Sequence, residues 1–210
     1  MVFYNNDMKK TLLIAGICVV AIAILYSAKG KEPMPPETFV ANSSKPSPTT
    51  NPFVDTLKAG GSSYSDPDNR YSFLYPNDYI LDTKDPKYIR IYKRGETERP
   101  QSEMTDGALM VFESVELNSQ TLEQWVDAHI KQMISDGTSE SVQPKKAVTV
   151  NNYPGFTYEL RGLGTTTYVV LQKSPQSFTA VVIAYSVSDP KGKGYQDEVD
   201  AVIDTFQLLK

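Results

Sequence analysis

The sequence predicts an α+β protein in which helices cover an antiparallel β-sheet and one transmembrane helix precedes the folded domain. Three observations support this prediction. An uncharged apolar run occupies residues 11–28, a proline-rich stretch follows over residues 29–69, and residues 70–210 alternate strand-like runs with two amphipathic helices. The chain therefore divides into a short tail (residues 1–10), a membrane anchor, a linker and one globular domain.

The anchor prediction rests on the 18 residues from Thr11 to Ala28. A helix of this length spans about 27 Å, which matches the hydrocarbon core of a bilayer. Lys9 and Lys10 precede the run, so a cleaved signal peptide is the alternative, but the small residues of a cleavage site occur only inside the run, at Ala21 and Ala23. We therefore expect a single-pass signal anchor in the cell membrane, with the tail inside and the domain on the extracytoplasmic side.

The linker from residue 29 to residue 69 is rich in Pro, Ser and Thr and shows neither helical nor strand periodicity. Such a composition buries too little apolar surface to offset the entropy of an ordered chain. We therefore predict an extended spacer. Two short apolar islands, Phe39–Val40 and Phe53–Leu57, offer an alternative interpretation as segments that dock on the domain or on a partner.

The domain opens with three strand patterns. Arg70–Pro76 is rich in aromatic residues and ends in a turn, and Lys87–Lys93 alternates tyrosine and arginine with two isoleucines. Ala108–Val115 begins with five consecutive apolar residues. The segments between these runs, at Asp82–Pro86 and Gly95–Gly107, are predicted loops because they are rich in charge, Gly and Pro.

The hydrophobic period changes at Ser119–Gly137, where apolar residues follow the spacing of one helix face. Thr121, with Gln124 three residues later, is typical of a capping box, and Gly137 is typical of a helix end. His129 lies on the apolar stripe. We interpret it as a packed helix histidine rather than a catalytic base.

Strand patterns resume after this helix and are separated by short turns, which favours antiparallel neighbours. The last two contain continuous apolar runs, which predict central strands that are covered on both faces. A final segment with helical spacing predicts a second covering helix. The four strands are Ala147–Val150, Gly155–Arg161, Thr165–Lys173 and Phe178–Tyr185, and the helix is Tyr195–Leu209.

Four phrases of the domain carry a resemblance to a known family: Arg70–Tyr79, Leu122–Val126, Val148–Tyr158 and Asp197–Leu208. Together with the order of the elements, they resemble the PsbP/Mog1-like fold, an α/β/α sandwich. The resemblance spans nearly all of residues 70–210. It implies a protein that binds or stabilises partners rather than one that catalyses a reaction, and it transfers no individual functional residue to this chain.

Composition excludes several kinds of chemistry. The formal net charge of -4 supplies no field for holding nucleic acid. With one Cys and one His in 210 residues, a Cys/His zinc site cannot be assembled within one copy. We therefore predict no catalytic residue, no metal and no cofactor.

The most suggestive surface is Tyr88, Arg90 and Tyr92 on one strand face. Aromatic rings interleaved with a cation can stack on sugars or contact a peptide. These three residues are therefore the predicted partner-binding surface, for a cell-envelope protein or glycan. The simpler interpretation is a strand whose amphipathic side chains lie at a sheet rim.

The leading functional prediction is a membrane-anchored extracytoplasmic binding or assembly module without catalytic activity. One alternative is an envelope glycan hydrolase that uses carboxylates such as Glu96, Glu98 and Glu103, and another is a passive structural protein of the envelope. A calcium site at Asp66–Asn69 is a third hypothesis, because oxygen ligands are closely spaced there.

Overall fold

The computed structural model describes residues 51–99, 104–137 and 139–209, and within them it contains three helices and ten strands. The predicted tail, the predicted anchor and the first part of the predicted linker lie outside the described residues. In the part of the chain that is described, no helix has the length and apolar character needed to cross a bilayer. The helices are α1 (Pro52–Gly60), α2 (Leu122–Ser135) and α3 (Tyr195–Thr205), and the strands are β1 (Ser62–Ser65), β2 (Tyr71–Tyr75), β3 (Ile80–Asp82), β4 (Ile89–Arg94), β5 (Gly107–Glu116), β6 (Glu140–Val150), β7 (Tyr153–Arg161), β8 (Thr165–Leu171), β9 (Thr179–Ser188) and β10 (Gln207–Leu208).

The strands form two sheets, and the described pairs are all antiparallel. The large sheet has the order β3-β4-β5-β9-β8-β7-β6, and the small sheet has the order β1-β2-β10. The antiparallel sheet predicted from the short turns is therefore confirmed.

Helices cover both faces of the large sheet. One face packs against α1, α3 and the small sheet, and the other packs against α2. Side chains of the central strand β9 point alternately to the two faces, so the strand contributes to both cores. Val181 and Ile183 belong to the core on the α3 side, whereas Ala180 and Val182 belong to the core on the α2 side. The layer order is that of an α/β/α sandwich, as predicted.

The structure differs from the prediction in the second half of the linker, where α1 and β1 are part of the domain. The Asn51 side chain accepts a hydrogen bond from the Phe53 amide at 3.0 Å, so it caps the helix. Leu57 is 5% exposed and Tyr64 is 9% exposed, because both join the core beneath the small sheet. The apolar island at Phe53–Leu57 therefore docks on the domain. The sequence did not indicate this helix, because the surrounding stretch has the composition of a spacer.

The last helix is shorter than predicted. Its final turn ends at Thr205, and Phe206 adopts an extended conformation that leads into β10. The side-chain amide of Asn151 donates to the carbonyls of Ile203, Asp204 and Phe206 at 2.9 to 3.3 Å, which satisfies groups that a helix end leaves free.

Helix α2 begins as predicted. The Thr121 side chain accepts from the Gln124 amide at 3.2 Å, and the Gln124 side chain accepts from the Thr121 amide at 2.9 Å. This reciprocal pair is a capping box. It sets the start of the helix that carries Trp125 and His129.

Candidate functional site

The two faces of the large sheet are covered to different extents. On the face that meets α3, Ile91, Met110 and Phe112 are 0% exposed. On the other face, the side chains of β4 and β5 are only half-buried, because α2 packs against β6 and β7 at the opposite end of the sheet. A groove therefore lies beside α2.

The three residues of the predicted partner-binding surface lie on this half-covered face. Arg90 and Tyr92 alternate along β4 with the buried Ile89 and Ile91, and Tyr88 immediately precedes the strand. Tyr88 lines the groove, whereas Arg90 and Tyr92 lie outside its lining on the same face. Their part in binding remains a prediction.

The groove is a cavity of about 300 Å³ between α2 and strands β5, β8 and β9, and we call it the α2 groove. Its volume is at the lower end of the range for small-ligand sites and suits one or two side chains of a partner. Its floor is mostly apolar. The lining residues are Tyr88, Leu109, Val111, Glu113, His129, Thr166, Tyr168, Val182, Ala184, Tyr185 and Ser186.

A cluster of aromatic rings joins α2 to the floor of the groove. Tyr158 and Tyr168 are register partners on β7 and β8, and their ring centroids are 4.9 Å apart in a stacked arrangement. The His129 ring lies edge-on to both, at 6.1 Å and 5.6 Å. Trp125 stacks on His129 at 5.1 Å. Because aromatic contacts of this kind add to the energy of area burial, they hold α2 and its histidine in place.

His129 is hydrogen-bonded as well as packed. Its Nδ1 lies 2.8 Å from the hydroxyl of Tyr158. Burial raises the pKa of Tyr158, so this hydroxyl stays protonated at neutral pH. A protonated tyrosine hydroxyl can donate or accept, so it serves as the partner of Nδ1 in either tautomer of the neutral imidazole. The prediction of a packed histidine agrees with this arrangement, but the sequence did not indicate that the same residue also lines a groove.

Glu113 is the one carboxylate among the described residues that line the α2 groove. Its Oε1 lies 3.2 Å from the Nζ of Lys87, and the same ammonium lies 4.8 Å from the centre of the Tyr88 ring. Hydrogen bonds to Tyr88 and Glu113 raise the pKa of Lys87. One carboxylate and one cation therefore lie beside the aromatic wall.

The environment of His129 predicts how it titrates. Burial lowers the pKa of His129, and the negative charge of Glu113 partly offsets this effect. We expect a pKa below the ordinary value of about 6.5, and a further decrease on the Glu113→Gln substitution. His129 is the only histidine of the chain, so a proton NMR titration reports it directly.

Glu116→Gln is the matched control, because this exposed residue alternates to the opposite face of β5. A rise of the His129 pKa in Glu113→Gln, or an equal shift in the control, would contradict the assignment. Because folding depresses the pKa of His129, its contribution to stability is present above about pH 6.5 and is lost as the pH falls through the folded value.

A larger depression of about 940 Å³ lies over the small sheet, but its chemistry is less specific. Its lining includes the hydroxyls of Ser63, Ser65 and Ser72 and the turn at Asn151–Asn152. Among the described residues that line it, none is a histidine, and its two charged residues, Lys58 and Asp204, are both exposed. The α2 groove is therefore the better candidate despite its smaller volume.

The carboxylates of the hydrolase alternative are engaged elsewhere. Glu98 accepts hydrogen bonds from the amides of Thr105 and Asp106, both at 2.8 Å. Burial opposes ionisation of Glu98, but these hydrogen bonds outweigh it and lower its pKa, which is the wrong direction for a general acid. Glu96 pairs with Lys191 at 3.2 Å, and residue 103 lies outside the described residues.

The calcium hypothesis at Asp66–Asn69 is not supported by the geometry. Asp66 is 3% exposed, and its two carboxylate oxygens each accept a hydrogen bond from the Arg70 guanidinium at 2.7 Å. The guanidinium therefore takes the place that a cation would need. In residues 51–99, 104–137 and 139–209, no group of three or more His, Cys, Asp or Glu side chains is arranged to hold a metal ion.

The Asp66–Arg70 pair predicts a pH-dependent stability. Burial opposes ionisation of Asp66, but hydrogen bonds from Arg70 outweigh it and lower its pKa. We expect Asp66→Asn to lower the free energy of unfolding by about 2 kcal/mol at pH 7. The difference from the native protein should shrink as the pH falls below about 4, because the stabilisation is lost as Asp66 is protonated in the fold.

Urea unfolding at pH 7 and at several lower pH values measures this difference. Asp68→Asn is the control, since its carboxylate is 75% exposed and lies 3.4 Å from Arg70, where a pair contributes less than about 1 kcal/mol. Millimolar calcium should leave the unfolding midpoint unchanged. A midpoint that rises with calcium would restore the metal hypothesis.

Together, the fold and the groove define an α/β/α sandwich with an aromatic groove on one face. The sequence matches no protein-family model and no curated protein. Among solved structures, the chain is similar to the Ran-binding protein Mog1p of Saccharomyces cerevisiae, with a TM-score of 0.46 and 12% identity over 72% of this chain and 96% of Mog1p. It is also similar to PsbP (CyanoP) of Synechocystis, with a TM-score of 0.46 and 18% identity over 70% of this chain and 91% of that protein.

A protein of Bacteroides thetaiotaomicron is a further structural neighbour, with a TM-score of 0.39 and 13% identity over 71% of this chain and 49% of its own. The predicted resemblance to the PsbP/Mog1-like fold is confirmed as a likeness of fold. At these identities and TM-scores, it carries no argument about activity or partner.

Proposed function

We propose that this chain is a non-catalytic binding module, anchored in the cell membrane by Thr11 to Ala28, whose extracytoplasmic domain binds a protein partner of the cell envelope through the α2 groove. The uneven covering of the large sheet supports this proposal most strongly. One face is buried under α3, whereas the other leaves a groove with aromatic walls and an apolar floor. Grooves of this composition bind side chains of a partner.

The arrangement of polar groups in the groove favours binding over catalysis. The Nδ1 of His129 is hydrogen-bonded to the buried Tyr158. The hydroxyls of Thr166 and Ser186 are hydrogen-bonded to each other at 3.1 Å. A hydroxyl nucleophile requires a base within hydrogen-bond reach, and these hydroxyls have each other as partners instead.

The anchor and the spacer are consistent with such a role. Because α1 and β1 belong to the domain, the proposed spacer is residues 29–50. A tethered domain meets membrane partners at a higher effective concentration than a free one does. A modest affinity of the α2 groove would then be sufficient.

Site-specific photo-crosslinking in intact cells tests the proposal. A photoreactive amino acid in place of Leu109, which lines the groove, should give one adduct of defined mass. The same amino acid in place of Asp55, an exposed residue of α1 on the other side of the sheet, is the control and should give none. Equal adducts from both positions, or no adduct from position 109, would contradict the proposal. An adduct that only a glycan-degrading enzyme removes would show that the partner is a glycan rather than a protein.

Protease treatment of intact cells tests the proposed location separately. If the domain lies outside the membrane, the protease should remove it without lysis, while a cytoplasmic protein used as a control stays intact. Full protection of the domain until the cells are lysed would contradict the extracytoplasmic placement. A mature chain that begins beyond Ala28 in a soluble fraction would contradict the anchor.

A further inference from the structure

A cation supplied by the chain itself lies beside two lining residues of the α2 groove, Glu113 and Tyr88. The Lys87 ammonium lies 3.2 Å from Glu113 Oε1 and 4.8 Å from the centre of the Tyr88 ring. A carboxylate next to an aromatic face is the arrangement that binds an ammonium or guanidinium group by charge and by cation–π attraction. The position therefore selects for positive charge.

Lys87 is held there loosely. Its side chain is 61% exposed, whereas the side chain of Glu113 is 24% exposed. An exposed ion pair of this type contributes little to stability, because water and salt screen it. Lys87 can therefore leave the position at low cost, and Glu113 would remain with its aromatic neighbours.

The rest of the groove suits the apolar residues that would flank such a cation. Val111 and Val182 lie on its floor, and the ring of Tyr168 lies beside them. Among the described residues that line the groove, Glu113 is the one charged side chain at neutral pH. His129 is neutral there, because burial lowers its pKa. A ligand with one cation between apolar side chains matches this pattern.

We infer that the α2 groove binds a lysine or arginine side chain presented by an apolar stretch of a protein partner, and that this side chain displaces Lys87 from Glu113. The inference rests on the proposed function and adds the chemistry of the partner. Arg90 lies on the same face of β4 and would disfavour a basic ligand close to it, but it lies outside the groove lining. The basic side chain is therefore favoured at Glu113 rather than elsewhere on this face.

Trp125 offers a direct test, because it is the only tryptophan of the chain and stacks on His129 in the groove wall. The full-length protein in detergent solution is titrated with three peptides without tryptophan, of the form acetyl-Ala-Leu-X-Leu-Ala-amide. X is lysine, Nε-acetyl-lysine or glutamate. We expect the lysine peptide to change the Trp125 fluorescence at a concentration about tenfold lower than the acetyl-lysine peptide, since only the former carries the charge that Glu113 attracts.

Two pairs of variants locate the effect. Glu113→Gln should weaken binding of the lysine peptide about tenfold and remove its advantage over acetyl-lysine, whereas Glu116→Gln on the opposite face should not. Lys87→Met should strengthen binding about threefold, because it removes the competing ammonium, whereas Lys84→Met, an exposed lysine three residues earlier, should leave it unchanged. The Lys87→Met result keeps the test informative if Glu113→Gln folds poorly.

The possible outcomes separate the inference from the proposed function. Equal binding of the lysine and acetyl-lysine peptides, or preference for the glutamate peptide, overturns the basic-ligand inference and leaves a binding groove. No response to any of the peptides also overturns the inference. The crosslinking experiment at Leu109 then tests separately whether the groove binds a partner at all. A lysine preference that persists in Glu113→Gln overturns the assignment to this carboxylate.

Discussion

Phe112→Ala is expected to lower the free energy of unfolding by about 4 kcal/mol, which is the usual range for removing a fully buried phenylalanine. Phe112 is 0% exposed on strand β5, which lies next to the central strand β9. Its ring stacks on Phe73 of the small sheet at 4.1 Å and lies 6.2 Å from Phe206 at the end of α3. The substitution therefore opens a cavity where the large sheet, the small sheet and the last helix meet.

Urea unfolding of the full-length protein, followed by circular dichroism, measures the loss. Phe178→Ala is the matched control, because Phe178 is 77% exposed and its backbone carbonyl, which accepts from the Leu117 amide, is retained. We expect the control to remain within about 0.5 kcal/mol of the native protein. A loss below about 1 kcal/mol in Phe112→Ala would show that this aromatic core is not the main contact between the layers.

Gly107→Ala is expected to lower the free energy of unfolding by about 3 kcal/mol. Gly107 has a φ of 136°, a conformation that residues with a side chain rarely adopt. A Cβ at this position would lie 2.1 Å from the carbonyl oxygen of Lys93 on β4, which is backbone and cannot move aside without disturbing the strand pair. Strain and overlap therefore act together at the start of β5.

Gly137→Ala separates the two contributions. Gly137 also has a left-handed φ, 67°, but no heavy atom lies within 4 Å of where its Cβ would be. We expect this variant to lose about 1 kcal/mol, from backbone strain alone. If both variants lost the same free energy of unfolding, measured by thermal or urea unfolding, the overlap of the added Cβ with the Lys93 carbonyl would not contribute to the loss. This result would contradict the explanation given for Gly107.

The sequence predicted best the elements that have a clear local signal, either the hydrophobic pattern of a strand or the capping residues of a helix. The continuous apolar run of β9 correctly indicated a strand between two cores, because adjacent residues such as Val182 and Ile183 face opposite layers. The Thr121–Gln124 capping box correctly placed the start of α2. Local rules were sufficient in both places.

Other elements could not be predicted because tertiary contacts decide them. Strand β10 has two residues, and it exists because Gln207 and Leu208 pair with β2, which lies far away in the sequence. Helix α1 is embedded in a proline-rich and serine-rich stretch, so its composition resembles that of a spacer. Burial of Leu57 against α3 and β2 stabilises an element that is too short to be stable alone.

The candidate site was only partly visible in the sequence. The prediction placed Tyr88 on the relevant face, but Glu113, Tyr158 and Tyr168 gave no signal of their own. Tyr158 and Tyr168 become neighbours through strand register, and His129 reaches them from a helix that precedes both strands. A register between strands is a long-range property, so no local pattern could have indicated this cluster.

By itself, the sequence determined the α+β class, the antiparallel neighbours and an uncharged segment long enough for a bilayer, because each of these follows from hydrophobic period or turn chemistry along the chain. The tertiary structure alone decided that α2 covers one end of the sheet and leaves a groove at Glu113 and Tyr88. The reason is physical: a periodic pattern states which side of an element is apolar, but only packing determines how much of that side another element covers.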